Sequence, residues 1–273
     1  MENLNEKVAA NRDGKIESKE DTHINCSLRT DDLISLVQKN DLEKIQNLLR
    51  EGISEQLLNA RNHEGRTALH EACQTGNTDL VAIFLAENAD TNLQDAFLQT
   101  PLILASEGSH TAIVELLCQS KANKNVQDSF GRSALHWAGR QCNLPSMAAL
   151  LEPIPSIEGG TVDPNLKTTS GETPLHWLCA LPPATPNQVE CVRMILESGA
   201  DPRLKNNNGD LATDLVDSSE IKSMLEEKAP SIAKEQSEKK PSQSDTPAKK
   251  EQEMQSGQSR TMFRSSAGPK KRF

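Results

Sequence analysis

The apolar residues of this chain fall into short stripes, each too brief for a long helix and spaced as if copied. Leu80, Val81, Phe84 and Leu85 follow the i, i+1, i+4, i+5 pattern of one buried helical face. Residues 31–52 read as two short helices broken at Asn40-Asp41, with charges at their exposed positions. Residues 211–228 keep a thinner stripe of Leu211, Leu215, Ile221, Met224 and Leu225 among charges. Between these ends the pattern repeats. GRTALHEACQTGN from Gly65, LQTPLILASEGSH from Leu98 and GRSALHWAGRQCN from Gly131 place Thr67, Thr100 and Ser133 at intervals of 33 residues. GETPLHWLCA follows from Gly171, and a degenerate GDLATDLVD from Gly209.

Each unit has local physics that sets its limits. Thr67, Thr100, Ser133 and Thr173 stand where a side-chain oxygen caps a first helix, and Pro101 and Pro174 follow at the first helical position, where no N–H is needed. Leu69, Leu102, Leu135 and Leu175, with Ala72, Ala105 and Ala138, are the predicted contacts between neighbouring units. A second apolar helix follows, then a closing motif: LAENADTN at 85–92, LCQSKANKN at 117–125, LESGADPR at 196–203, and a shorter GGTVDPN at 159–165. Glycines 65, 131, 171 and 209 suit the reversal before each capped helix. Leu98 replaces that glycine in its unit, which predicts a different backbone there or an exposed apolar tip. Extra residues at 153–162 and 180–188, rich in Pro, Gly and small side chains, are predicted loops.

The 33-residue period and the T-P-L-H-x-A start together resemble the ankyrin repeat over about 31–228. The resemblance implies an all-α solenoid of stacked helix-turn-helix units with β-hairpin loops. Its expected parts are a cap at 31–60, repeats at 62–94, 95–127, 128–167 and 168–205, and a C-terminal cap at 206–228, all within a domain spanning 29–228. It also implies a scaffold or adaptor that binds a partner protein through hairpin tips and the concave face of the first helices. Matched residue by residue, the candidate partner-binding positions are Arg61, His63, Arg66, Phe97, Gln99, Phe130, Arg132, Arg140 and Gln141. Phe97 and Phe130 hold the same tip position in successive units, and aromatics and Arg are the types enriched at binding hot spots. Trp137 and Trp177 are expected to pack between repeats. The resemblance raises asparaginyl hydroxylation too, with Asn92 as the best-placed residue, while Asn92, Asn125 and Asn165 serve hairpin hydrogen bonding.

Composition changes this picture little. Aromatics are 3% and tyrosine is absent, which a thin core of Leu, Ile, Val and Ala tolerates. The net charge of −9 divides unevenly, with about −13 on 31–228 and about +5 on 229–273. The sign disfavours nucleic acid as a partner of the repeats. Residues 1–28 and 229–273 are polar, charged and poor in large apolar residues, so both are predicted to be disordered. The C-terminus carries Lys270, Lys271 and Arg272, a minimal basic cluster of the nuclear-import kind. This keeps open an alternative, a nuclear regulatory protein acting as a transcription-factor inhibitor or cofactor.

No apolar run is long enough to span a bilayer, the N-terminus has no secretory h-region, and none of the six cysteines forms a CxxC pair. A monomer in the cytoplasm or nucleus is expected, with no cofactor, no metal and no enzymatic activity. His70, His136 and His176 recur one unit apart, too far to share an ion, and the resemblance assigns them to hydrogen bonds that tie hairpin loops together. His63 and His110 read as solvent-facing.

Overall fold

The structure, a computed structural model, describes residues 30–153, 161–182 and 186–238. Helices follow one another in antiparallel pairs. The first pair is α1 (Thr30–Gln38) and α2 (Leu42–Arg50), followed by a single turn, α3 (Glu55–Leu58). Then come α4 (Ala68–Thr75) with α5 (Thr78–Ala86), α6 (Pro101–Glu107) with α7 (Thr111–Gln119), and α8 (Ala134–Arg140) with α9 (Leu144–Leu151). The series ends with α10 (Pro174–Cys179) and α11 (Pro186–Glu197), then α12 (Ala212–Leu215) and α13 (Ser219–Glu238). Inner helices α1, α4, α6, α8, α10 and α12 pack in a row, each on the next, and outer helices α5, α7, α9, α11 and α13 form a second row behind them. The units 67–72, 100–105 and 133–138 therefore stand side by side.

Local chemistry explains why each inner helix starts where it does. The Thr67 backbone N–H donates to Nδ1 of His70 at 3.1 Å, while the His70 N–H donates to Thr67 Oγ1 at 3.4 Å. The Ser133 and Thr173 N–H groups likewise donate to Nδ1 of His136 and His176, at 3.1 and 3.2 Å. With Nδ1 accepting, the other ring nitrogen, Nε2–H, donates onward to the next hairpin: His70 to the Gln99 carbonyl, His136 to that of Glu172 and His176 to that of Asp210, each at 3.2 Å. Each ring is thus a neutral strut between units. Burial pushes His70 and His136 down to about 4, and lowers His176 as well.

A single apolar core runs the length of the stack. Leu69, Leu102, Leu135 and Leu175 are almost wholly buried, as are Ala72, Ala105 and Ala138, whose small side chains let the inner helices approach closely. Cys73 and Cys179 lie in the same layer, and burial raises both thiols, Cys179 to about 12. They behave as small apolar groups.

The loops between pairs turn tightly. Asn62, Asp95, Asp128 and Asn206 each accept two loop N–H groups on one side-chain oxygen, from the second and the fourth residue after them. One backbone bond joins each pair of successive loops: Ala96 N–H to the Glu64 carbonyl, Ser129 to Phe97, Thr169 to Phe130 and Asn207 to Ser170, at 2.8–3.0 Å. These bonds run along the stack rather than along each loop. Among the described residues no strand forms, and one isolated antiparallel bridge joins Lys205 and Leu211.

Three sequence expectations are revised. The predicted loop at 180–188 ends early, because α11 begins at Pro186, and Gln188 is buried with its amide donating to the Leu178 carbonyl at 2.6 Å. The boundary placed at 228 falls inside α13, which continues to Glu238. His110 is not simply solvent-facing, since its ring lies against Gly76 and Gly108 and its Nε2 is 3.3 Å from the Gln74 carbonyl. The expected disorder of 1–28 and of the tail beyond Glu238, the cluster Lys270, Lys271 and Arg272, and most of the predicted loop at 153–162 lie outside the described residues.

Candidate functional site

The exposed large apolar residues of the described chain gather on two adjacent tips. Phe97 is 55% exposed, Leu98 46% and Phe130 54%. Tip two is bonded to tip three through the Phe97 carbonyl, so the three side chains belong to neighbouring turns. Leu98 has φ +60, while the glycines at the same place in other units, Gly65, Gly131, Gly171 and Gly209, have φ between +75 and +90. A leucine held in the left-handed region costs about 1–2 kcal/mol that glycine does not. Of the two alternatives expected here, a different backbone or an exposed apolar tip, the structure shows the second: the left-handed backbone of the glycines is kept and the side chain is exposed.

Beside the third tip, Arg132 and Arg140 lie over aromatic rings. The Arg132 guanidinium carbon is 4.7 Å from the centre of Phe130 and 4.8 Å from that of Trp137, and Nε binds the buried Asp128 carboxylate at 2.6 Å. Arg140 sits 5.6 Å above Trp177. The two indoles meet edge to face at 5.7 Å. They pack between repeats, and they also line a hollow of 410 Å³ with Phe130, Arg132 and Arg140. The Trp177 indole N–H is donated to Glu172 at 2.9 Å, whereas that of Trp137 is sealed from solvent without an acceptor.

The remaining candidates divide. Arg61 and His63 are exposed on the first tip. Arg66 is largely occupied within the fold: Nη1 donates to Gln74 at 2.6 Å, Nε faces Asp95 at 3.4 Å, and Glu71 lies 3.7 Å away. Gln99 is a structural residue, only 7% exposed, and its backbone N–H, side chain and carbonyl are all used, by Asp95, Glu107 and His70. Gln141 is exposed at the end of α8 and reaches the Glu107 carbonyl at 3.4 Å.

Asn92 lies away from the tips and uses its side-chain oxygen within the fold. Asn59 accepts from Asp90 N–H at 2.9 Å, Asn92 from Asn123 at 2.7 Å, Asn125 from Asp163 at 2.7 Å and Asn165 from Asp201 at 2.7 Å. Lys124 was not singled out by sequence. Its side chain is buried, and Nζ donates to the carbonyls of Ala149 and Glu152 at 3.0 and 2.7 Å, holding a cation at the C-terminal end of α9. Only its place between Asn123 and Asn125, where its counterparts are Thr91, Pro164 and Pro202, could have marked it. Among the described residues no group of His, Cys, Asp and Glu is arranged to hold a metal ion, and no helix is long and apolar enough to cross a membrane.

Known proteins share this architecture. Over 152 residues the chain is 28% identical to neurogenic locus notch homolog protein 1 of Danio rerio, covering 55% of this chain and 6% of that protein. Over 150 residues it is 31% identical to NF-kappa-B inhibitor delta of Mus musculus, covering 55% of this chain and 41% of the inhibitor. The chain thus spans less than half the length of these curated relatives. A crystal structure of an ankyrin repeat domain from Acinetobacter baumannii AYE superposes with a TM-score of 0.62 at 21% identity, covering 72% of this chain and 96% of that one. A family model for ankyrin repeats (3 copies) matches residues 33–128 and 112–206, and the chain belongs to the ankyrin-repeat family.

Proposed function

We propose that this protein is a scaffold or adaptor that binds a partner protein through the tips of its second and third hairpins and the adjoining inner-helix face. Ankyrin repeats are protein-interaction modules, and fold alone does not choose the surface or the partner. The observation that supports this surface is Leu98: an exposed apolar side chain kept in a backbone region that favours glycine, between two exposed phenylalanines. Strain and exposed apolar area at one place are both unfavourable in the free protein, and covering by a partner offsets the second.

The test is affinity capture with the full chain, followed by titration of an identified binder. Phe97→Ala and Phe130→Ala should weaken binding by about tenfold or more, as hot-spot truncations do, with Tm nearly unchanged. Equal affinity for wild type and both variants would place the interface elsewhere.

A second reading has support in the likeness to NF-kappa-B inhibitor delta: a nuclear regulatory protein that masks a transcription factor, with the basic tail serving import. Replacing Lys270, Lys271 and Arg272 by Ala should then shift the protein out of the nucleus. An unchanged distribution would end that reading.

A further inference from the structure

The hollow between the third and fourth tips carries a positive charge that no described carboxylate neutralises. Arg140 is exposed, makes no ion pair among the described residues, and rests on the face of Trp177. In the equivalent place the other units carry Gln74, Glu107 and Ala180, so the charge belongs to this unit alone. Arg132 is spoken for by Asp128, and Glu172 takes the Trp177 indole N–H and the Ser170 hydroxyl. The hollow therefore offers one spare guanidinium, flanked by the exposed Phe130 and, one tip away, by Phe97 and Leu98.

Resting on the tip-and-inner-face reading above, we infer that this hollow takes a single carboxylate side chain, Asp or Glu, from a partner segment whose neighbouring apolar residues lie over Phe130, Phe97 and Leu98. Charge decides the sign of the ligand. A cation would have to displace the two guanidiniums that already cover the ring faces, whereas an anion meets Arg140 directly and adds to its contact with Trp177. Charge also decides the number. Asp128 and Glu172 bond residues that line the hollow, and the repeats as a whole carry about −13, so one negative charge is matched by one spare guanidinium and a dianion is not. A guanidinium held flat on an aromatic ring keeps its in-plane N–H groups free for a carboxylate.

The chain reports on this hollow by itself. Its two tryptophans are Trp137 and Trp177, and it has no tyrosine, so intrinsic fluorescence comes from the site. A random peptide library displayed on phage is selected against the full chain, and the enriched peptides are synthesised and titrated by tryptophan fluorescence. The expected ligands carry Asp or Glu next to Leu, Ile or Phe. Replacing that acid by its amide, or making Arg140→Gln, should each lower affinity about tenfold, roughly 1.4 kcal/mol, and the two losses should not add. Affinity should also fall with added salt. Arg140 is exposed, so the variant keeps its Tm.

Peptides that depend on Phe97 and Phe130 but bind Arg140→Gln unchanged would overturn the inference and leave the tip surface standing. Enrichment of basic peptides, or tighter binding of a phosphoserine version than of the acid, would overturn it as well. Failure to enrich any peptide dependent on the tips or the hollow would count against both readings.

Discussion

Leu98 shows how one side chain links backbone strain to function. Its left-handed φ of +60 is imposed by the loop, since Leu98 N–H bonds the Asp95 carbonyl as Gly65, Gly131, Gly171 and Gly209 bond theirs. Leu98→Gly should therefore leave stability unchanged or raise it by up to about 1 kcal/mol, while weakening partner binding; a clear fall in the urea midpoint would show that the leucine is structural. Arg132 has the opposite profile. Its partner Asp128 has a fully buried carboxylate, so Arg132→Ala should cost about 1–3 kcal/mol in urea unfolding by leaving a buried charge short of its cation. The histidine struts add a pH dependence. Their folded pKa values, about 4 for His70 and His136, lie below the unfolded value near 6.5. The folded state then binds fewer protons, so their contribution is complete above pH 6.5 and is lost as pH falls towards 4. At about 1.4 kcal/mol per unit, each fully buried ring gives roughly 3 kcal/mol over that window. The slope of stability between pH 6.5 and 4.5 should be shallower in His136→Gln, and an unchanged slope would contradict the neutral-strut assignment.

Turns and helices are elements whose tolerance depends on what their neighbours place nearby. Gly131 and Gly209 have similar positive φ, +75 and +90, but a Cβ on Gly131 would lie 2.9 Å from Thr168 Cα and 3.0 Å from the Lys167 carbonyl, while one on Gly209 meets nothing. Gly131→Ala should thus cost more than the roughly 1 kcal/mol of backbone strain expected for Gly209→Ala, as measured by urea unfolding; equal costs would mean the loops are not held together at this point. The caps, the inner-helix leucines and the turn glycines were legible in the sequence because each rests on a local rule repeated at fixed spacing. Gln99 shares its tip position with Arg66 and Arg132, but its burial depends on Asp95 and Glu107, which spacing does not reveal. The start of α11 was misread for a different reason: Pro186 looks like a loop residue but is tolerated in the first turn of a helix. The buried ammonium of Lys124 had no local signal, since its acceptors come from the following repeat.

At the scale of the molecule, each unit contacts only its neighbours, so the surface is long relative to the core and one edge is free to be specialised. The family followed from the 33-residue period together with the T-P-L-H-x-A start. The unpaired charge beside the third tip did not, because Arg132 and Arg140 look alike in sequence and only packing shows that Asp128 neutralises the first while the second rests on Trp177 without an ion pair among the described residues. The most direct test of the account is hydrogen exchange on the full chain, alone and saturated with a tight binder. Binding should protect 96–99, 129–132 and 137–141 and leave the outer helices α5, α7 and α9 unchanged. Protection confined to those outer helices, with the tips exchanging as in the free protein, would contradict it.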